Sequence, residues 1–201
     1  MEFFALFQKG GLVMYPIMLA SIIAVTIAFE RFAYYRKERL QVEDFSGQIH
    51  ELLQSGNREQ AENLCRMAGA PGEVILTAME EEKFGSREEV VCAAAKRKAL
   101  DLRQYLEYLS VIVTMAPLLG LLGTVTGMIQ SFSVLNVADG EPFAITGGVG
   151  EALIATATGL LVAILALCLY ACLSHKANNI IADVEYVSMM YAAAEGSDDA
   201  H

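Results

Sequence analysis

Three stretches of the chain contain no Asp, Glu, Lys or Arg: residues 12–29, 108–138 and 152–174, of 18, 31 and 23 residues. A bilayer core of about 30 Å takes roughly 20 apolar residues of helix to cross. The pattern therefore predicts spans at about 11–30, 109–134 and 152–174. The middle stretch exceeds one crossing, so its end is expected to emerge as a loop around 136–140. The first stretch fits a cleaved leader poorly. Lys9 is the sole positive charge ahead of it, Pro16 interrupts it, and no small-residue cleavage site precedes Glu30-Arg31. It is expected to be a retained anchor.

Between the first two stretches the pattern turns polar and helical. Asn57 is placed to cap a helix through Met67, with Gln60 at its third position. Pro71 suits the first turn of a helix reaching Phe84, and Gly85 stops it. Ser86 and Glu89 have the spacing of a capping box, in which each side chain satisfies the other's backbone donor. No helix breaker follows until Pro117. A continuous helix over 86–132 would be roughly 70 Å long. The third span likewise meets no breaker up to about residue 194, and carries Asp183 and Glu185 in a polar extension. The fold class expected is an all-α membrane protein. Three transmembrane helices are predicted, the second and third extended into the cytoplasm, with a helical cytoplasmic domain between spans 1 and 2.

Charge orients these elements. Of 14 Lys and Arg, 12 lie in residues 30–107. Arg31, Arg36, Lys37 and Arg39 follow span 1; Lys96, Arg97, Lys98 and Arg103 precede span 2. Residues 136–150 hold no basic side chain, only Asp139 and Glu141. Basic residues stay on the cytoplasmic side of a span. The expected order is a periplasmic segment 1–10, span 1 at 11–30, a cytoplasmic helical domain at 31–107 and span 2 at 109–134. A short periplasmic loop at 135–150, span 3 at 152–174 and a cytoplasmic extension and tail at 175–201 complete it.

Composition narrows the function. Apolar residues make up 55% of the 201, charged ones 19%, and mean hydropathy is +0.42, against about 25% charged in soluble domains. The net charge of −10 leaves no basic surplus to displace counterions from a nucleic acid. The four cysteines do not make a disulfide framework. Cys65 and Cys92 fall in the cytoplasmic segment, and Cys168 and Cys172, four apart in span 3, are expected to be small packing residues rather than metal ligands. No nucleophile–base pair, metal-ligand cluster or cofactor motif supports an enzyme. The glycines of Gly120-x-x-Gly123-Thr124-x-x-Gly127 lie mid-span with no following Lys-Thr, which excludes a phosphate loop.

Chemistry concentrates in spans 2 and 3. Gly120, Gly123, Thr124, Gly127 and Ser131 fall within about 100° of one helix face. Span 3 repeats the theme with Ala152, Ala155, Thr156, Gly159, Ala163 and Ala166. Lipid does not push helices together, so small residues that admit close approach are expected to pack them. A lone membrane threonine bonds a carbonyl of its own preceding turn. Thr124 and Thr156, on small faces of adjacent spans, could instead present hydroxyls to a narrow wet path, since a hydroxyl both donates and accepts. Glu151 is the acid bordering the long spans. It is either an ion-path residue or an acid favoured by a helix N-terminus. It shares a face with Thr158 but stands about 140° from Thr156 around an ideal helix. No Asp, Glu, Lys or Arg lies mid-span, and His175 sits at the inner edge. An ion pathway here must borrow its titratable group from a partner.

The motifs resemble the MotA/TolQ/ExbB proton-channel family. Gly10-Gly11-x-x-Met14-x-Pro16 with Glu30-Arg31 is similar to its first span. The run from Ala116-Pro117 through Gly120, Gly123, Thr124, Gly127 and Ile129 looks like its second, and Glu151 through Thr156, Gly159 and Leu160 like its third. Three spans point to the ExbB/TolQ branch. The resemblance implies a homopentamer enclosing a single-span dimer of the ExbD/TolR type, which supplies the membrane aspartate. Proton motive force would then do work on a TonB- or TolA-type periplasm-spanning protein from the bacterial inner membrane. It implies Thr124, Thr156 and Glu151 as ion-path residues, with Thr126, Thr158 and Ser131 as secondary pore-lining candidates and Gly120, Gly123, Gly127 and Gly159 as close-packing positions. No cofactor is implied. H⁺ is the coupling ion, with Na⁺ an alternative that the added hydroxyls of Thr126 and Thr158 leave open. A TolQ-type envelope-maintenance role, another envelope or gliding motor, and a passive scaffold whose small faces only glue helices are the competing readings.

Overall fold

A computed structural model of the chain describes residues 11–38, 42–55, 57–135 and 142–193. The 1–10 segment, the loop around 136–140 and residues 194–201 lie outside them. The described residues are all-α, with no strand among them. In order they form α1 (Met14–Glu38), α2 (Val42–Gln54), α3 (Arg58–Met67), α4 (Gly69–Glu81), a 3₁₀ turn (Glu82–Phe84), α5 (Arg87–Arg103), α6 (Leu106–Leu135) and α7 (Pro142–Ala193). Three helical stretches are long and apolar enough to cross a membrane: Met14–Glu38, Arg87–Ser133 and Gly147–Ala193. Two compact units divide the chain. One comprises the described parts of Met1–Phe29 and Tyr105–Cys172, the other those of Glu30–Gln104 and Leu173–His201.

The first unit inverts the usual order of sizes. Small residues lie inside: Ala20, Ala24, Ala116, Ala152, Ala155, Ala163 and Ala166 are all buried. Large aliphatics such as Leu118, Leu121, Val125, Ile129, Leu153, Leu161 and Ile164 lie exposed on the outside. Protein covers only 28–33% of each apolar window. Helices whose bulky faces meet hydrocarbon gain nothing by burying them against each other, so their contacts fall to small side chains. Val13 and Ile17 of the α1 start pack with Ala116, Val162 and Ala163; Ala20 and Ala24 pack with Ile112 and Ala166.

The second unit packs as a soluble bundle does. On α7 the buried positions Leu173, Ala177, Ile180, Val184, Val187 and Tyr191 recur in alternating steps of four and three, the seam of a coiled coil. On α5, Val91, Ala94, Ala95, Lys98 and Leu102 form the buried stripe. Ser86 and Glu89 form the capping box at the α5 start. Asn57 precedes α3 without a side-chain bond to it, so its position at the helix start is correct and its chemistry is not used. The Cys65 thiol is buried, and desolvation with the neighbouring Glu62 charge pushes its pKa up to about 12, which leaves it inert. Tyr191 hydrogen-bonds Glu82 (3.2 Å), which pairs with Arg87 (2.7 Å), and Arg87 lies over the Tyr191 ring. Burial and then the Glu82 charge raise the pKa of this phenol, keeping it a donor.

Four features differ in detail from the elements read in the sequence. First, α1 starts at Met14 rather than residue 11, because Gly11 turns into the left-handed region (φ +71°). Second, residues 142–150, expected within a loop, already belong to α7, whose start suits Pro142: at a first helical position proline has the required φ and no amide to satisfy. Third, Cys168 and Cys172 do not fill space inside the chain; both are exposed on α7. Fourth, the helical stretch over Arg87–Ser133 is interrupted by two turn residues, Gln104 and Tyr105, between α5 and α6. In an unbroken helix the carbonyls of Asp101 and Leu102 would receive the amides four residues on. Here Arg31 Nη1 donates to the Asp101 carbonyl (3.3 Å) and Tyr35 Oη to that of Leu102 (2.6 Å). Arg31 and Tyr35 stand one turn apart on α1, and both are buried. Side chains that intercept a helical ladder are a recognised cause of such breaks.

A second polar cluster anchors α1 to α4 and α5. Lys98, 6% exposed, pairs with Glu73, lies 3.6 Å from Glu38 and donates to Tyr34 Oη (3.2 Å). Desolvation acts to lower the Lys98 pKa. Hydrogen bonds to Glu73 and Tyr34, and the Glu38 charge, outweigh it and raise the value from 10.5 to about 12. Its stabilising effect is therefore complete below pH 10.5 and is lost as pH rises through about 12.

Two outcomes follow from these clusters. Tyr35→Phe removes one buried hydrogen bond to the Leu102 carbonyl and should cost about 0.5–1.5 kcal/mol. Thermal unfolding of the detergent-solubilised variant, compared with the wild type, reads the loss. Lys98→Met strands the Glu38 carboxylate and should cost about 3 kcal/mol in denaturant unfolding of the detergent-solubilised chain. That difference should stay constant between about pH 7 and 10, where the lysine is charged in both folded and unfolded states.

Candidate functional site

The hydroxyls, glycines and acid singled out in the sequence lie along α6 and α7 in the first unit. Glycine lets the two helices approach to backbone contact. A Cβ added at Gly120 would lie 3.1 Å from the Cα of Thr156; one at Gly159 would lie 2.6 Å from the Ala116 carbonyl and 3.0 Å from the Gly120 Cα. One at Gly123 would meet the Ala155 methyl at 2.5 Å, and one at Gly127 would meet that of Ala152 at 3.0 Å. The seam continues to Gly148, whose missing side chain leaves room for the Ser131 hydroxyl. Gly147 and Gly150, on the same helix, face open space.

Among the described residues, one side-chain bond crosses this seam. Thr156 Oγ1 donates to the Gly120 carbonyl on the facing helix (2.9 Å). The close approach of Gly120 brings that carbonyl within reach. Thr124, one turn along α6 from Gly120, donates to the Leu121 carbonyl of its own helix (2.7 Å). Thr126 donates to Leu122 and Gly123, Thr158 to Ile154 and Ser131 to Gly127, each within its own helix. Every one of these hydroxyl hydrogens is therefore directed at a carbonyl. What each oxygen retains is its lone pairs, which can accept from water or coordinate a small cation. Ser131 is buried and Thr126 exposed; Thr124, Thr156 and Thr158 are half-buried.

Glu151 is turned elsewhere. Its carboxylate rests against the Cα of Gly11, in the turn that leads into α1, whereas Thr156 is turned to α6. The structure thus brings Thr156 together with Gly120 and keeps Glu151 apart from Thr156, as the angular separation around the helix requires. Sequence reasoning missed two members of this arrangement. Gly148 lay in what looked like a loop, and the Gly11 pairing joins residues 140 positions apart in the chain.

The seam distances separate glycines that are needed from glycines that are not. Gly159→Ala drives a methyl into backbone on α6 and should cost about 1–3 kcal/mol. Gly150→Ala meets no atom and should raise stability slightly through helix propensity. Thermal unfolding of the two variants in detergent, compared with the wild type, reads the difference.

The pattern of the MotA/TolQ/ExbB proton channel family matches residues 52–186. A Synechocystis protein named ExbB-like 1, a biopolymer transport protein, is 34% identical over 206 residues, covering 96% of this chain and 75% of its own. The biopolymer transport protein exbB1 of Vibrio cholerae is 28% identical over 190 residues, 89% of this chain and 82% of its own. The Tol-Pal system protein TolQ of Haemophilus influenzae is 33% identical over 109 residues, 51% of this chain and 48% of its own. With its three apolar helices and this extent of match, the chain is a membrane-embedded member of the MotA/TolQ/ExbB proton channel family.

Proposed function

We propose that this chain is the stationary subunit of an ion-driven motor in the bacterial inner membrane, with its N-terminus periplasmic and its C-terminus cytoplasmic. A ring of copies, a homopentamer by family resemblance, encloses a single-span dimer of the ExbD/TolR type. Proton flow through the assembly does work on a TonB- or TolA-type protein that reaches across the periplasm. One observation carries the reading: residues 12–29, 108–138 and 152–174 contain no ionisable carboxylate or amine, yet the family is one of proton channels. A proton pathway needs a group that changes charge at depth, and here a partner must bring it. The chain's own contribution is Thr124 and Thr156, whose free lone pairs can take part in a water file, and Glu151 at the outer end. Thr126, Thr158 and Ser131 add oxygens nearby. No cofactor enters, and H⁺ is the coupling ion, with Na⁺ the alternative. One charge crossing 100 mV delivers about 2.3 kcal/mol, so a power stroke needs several ions.

The wider coverage by ExbB-named relatives favours energised outer-membrane transport. The shorter TolQ match supports an envelope-maintenance role as the second reading.

The test uses vesicles holding the chain and its single-span partner under an imposed proton gradient. Thr156→Ala removes one interhelical bond worth about 0.6 kcal/mol in a membrane, too little to dismantle the assembly. Flux should nonetheless fall at least about tenfold, the scale of losing a positioned proton-transfer group, while Thr156→Ser retains most of it. Unchanged flux in both Thr156→Ala and Thr124→Ala would leave only a passive scaffold. Replacing the proton gradient with a sodium gradient distinguishes the ions.

A further inference from the structure

Gly11 stands in a backbone conformation that L side chains rarely adopt (φ +71°). A Cβ built on it would overlap Glu151 Oε1, with the Glu151 Cδ at 3.1 Å and Cγ at 3.5 Å. The carboxylate therefore occupies the volume that any other residue at position 11 would fill. Two buried anchors hold that volume in place. Val13 packs on the α6–α7 seam, 3.8 Å from the position a Gly123 Cβ would take, and Ile17 is fully buried with Ala116, Val162 and Ala163.

Helix capping does not explain the contact. In the first turn of α1 the Met14 amide donates to the Gly11 carbonyl (3.2 Å), Tyr15 to Leu12 (3.4 Å) and Ile17 to Val13 (3.4 Å). Pro16 has no amide to satisfy. The helix start closes on its own backbone, and the carboxylate lies in the space beside Gly11, near the positive end of a 25-residue helix.

We propose that Gly11 is a positioning residue for Glu151: the side chain it lacks is the slot that seats the carboxylate, so α1, and not α6, sets where this acid stands. The proposal rests on the reading of Glu151 as an ion-path residue, and it adds that the first span takes part in that path by shape. An alanine at position 11 displaces the carboxylate, and a shorter acid at 151 makes room for the new methyl.

The experiment compares wild type, Gly11→Ala, Glu151→Asp, the Gly11→Ala/Glu151→Asp pair and Glu151→Gln, each co-purified with the single-span partner and reconstituted in vesicles. Proton flux and the infrared carboxylate band of Glu151, assigned by difference from Glu151→Gln, are read on each. Gly11→Ala should shift the band and lower flux by up to about a hundredfold, the scale of displacing an acting group by on the order of 1 Å. In the pair, Gly11→Ala should cost little further flux relative to Glu151→Asp alone. An unshifted band in assembled Gly11→Ala overturns the proposal. So does a flux loss from Gly11→Ala that is as large in the Glu151→Asp background as in the wild type, since backbone strain at φ +71° is indifferent to the length of residue 151. Undiminished flux in Glu151→Gln retires the ion-path role of Glu151 instead, and the band shift then decides the seating alone.

Discussion

The contact on which the membrane unit depends is the backbone-to-backbone approach of α6 and α7. Where Gly120 and Gly159 meet, no side chain intervenes, and a single added carbon would stand 2.6 Å from a carbonyl oxygen. Hydrocarbon supplies no force that favours this approach, so it rests on dispersion between close atoms and on the Thr156–Gly120 bond. Much else follows from it. The bulky aliphatics are displaced to the outside, the alanines of α1 can reach the seam, and the hydroxyls of α6 and α7 are left to bond carbonyls.

The second unit is held by different physics. Its core is aliphatic, its helix starts are capped and its polar groups are paired. Lys98 is buried yet charged because Glu73, Glu38 and Tyr34 converge on it from two other elements. The Arg31 and Tyr35 side chains donate to two carbonyls in the last turn of α5. Both clusters use residues of α1 beyond the apolar run, so this helix serves two solvents. Up to Phe29 it contributes small residues to a lipid-type packing, and from Glu30 on it contributes hydrogen bonds to a water-type one.

What was legible in the sequence was what depends on near neighbours in the chain. The absence of charge gave the three spans, the Ser86–Glu89 spacing gave a helix start that the structure contains, and glycine periodicity gave the α6 face. What was illegible depended on partners far away. The break at Gln104–Tyr105 has no proline or glycine beside it, because its cause sits 70 residues earlier at Arg31. The α7 start at Pro142 was hidden by three glycines, at 147, 148 and 150, that read as loop until Gly148 is seen against Ser131. Gly11 looked like one of a pair of glycines before a span; only the fold places Glu151 beside it.

The seam also sets how this chain can diverge. Where α6 and α7 meet lipid, leucine, isoleucine, valine and phenylalanine are interchangeable to a hydrocarbon solvent, so such positions can change at little cost. At Gly120, Gly123 and Gly159 every alternative adds atoms to a space already full. Distant descendants of one ancestor would thus come to differ almost everywhere that faces lipid while keeping the same few glycines. Their resemblance would then be carried by the residues with the fewest atoms.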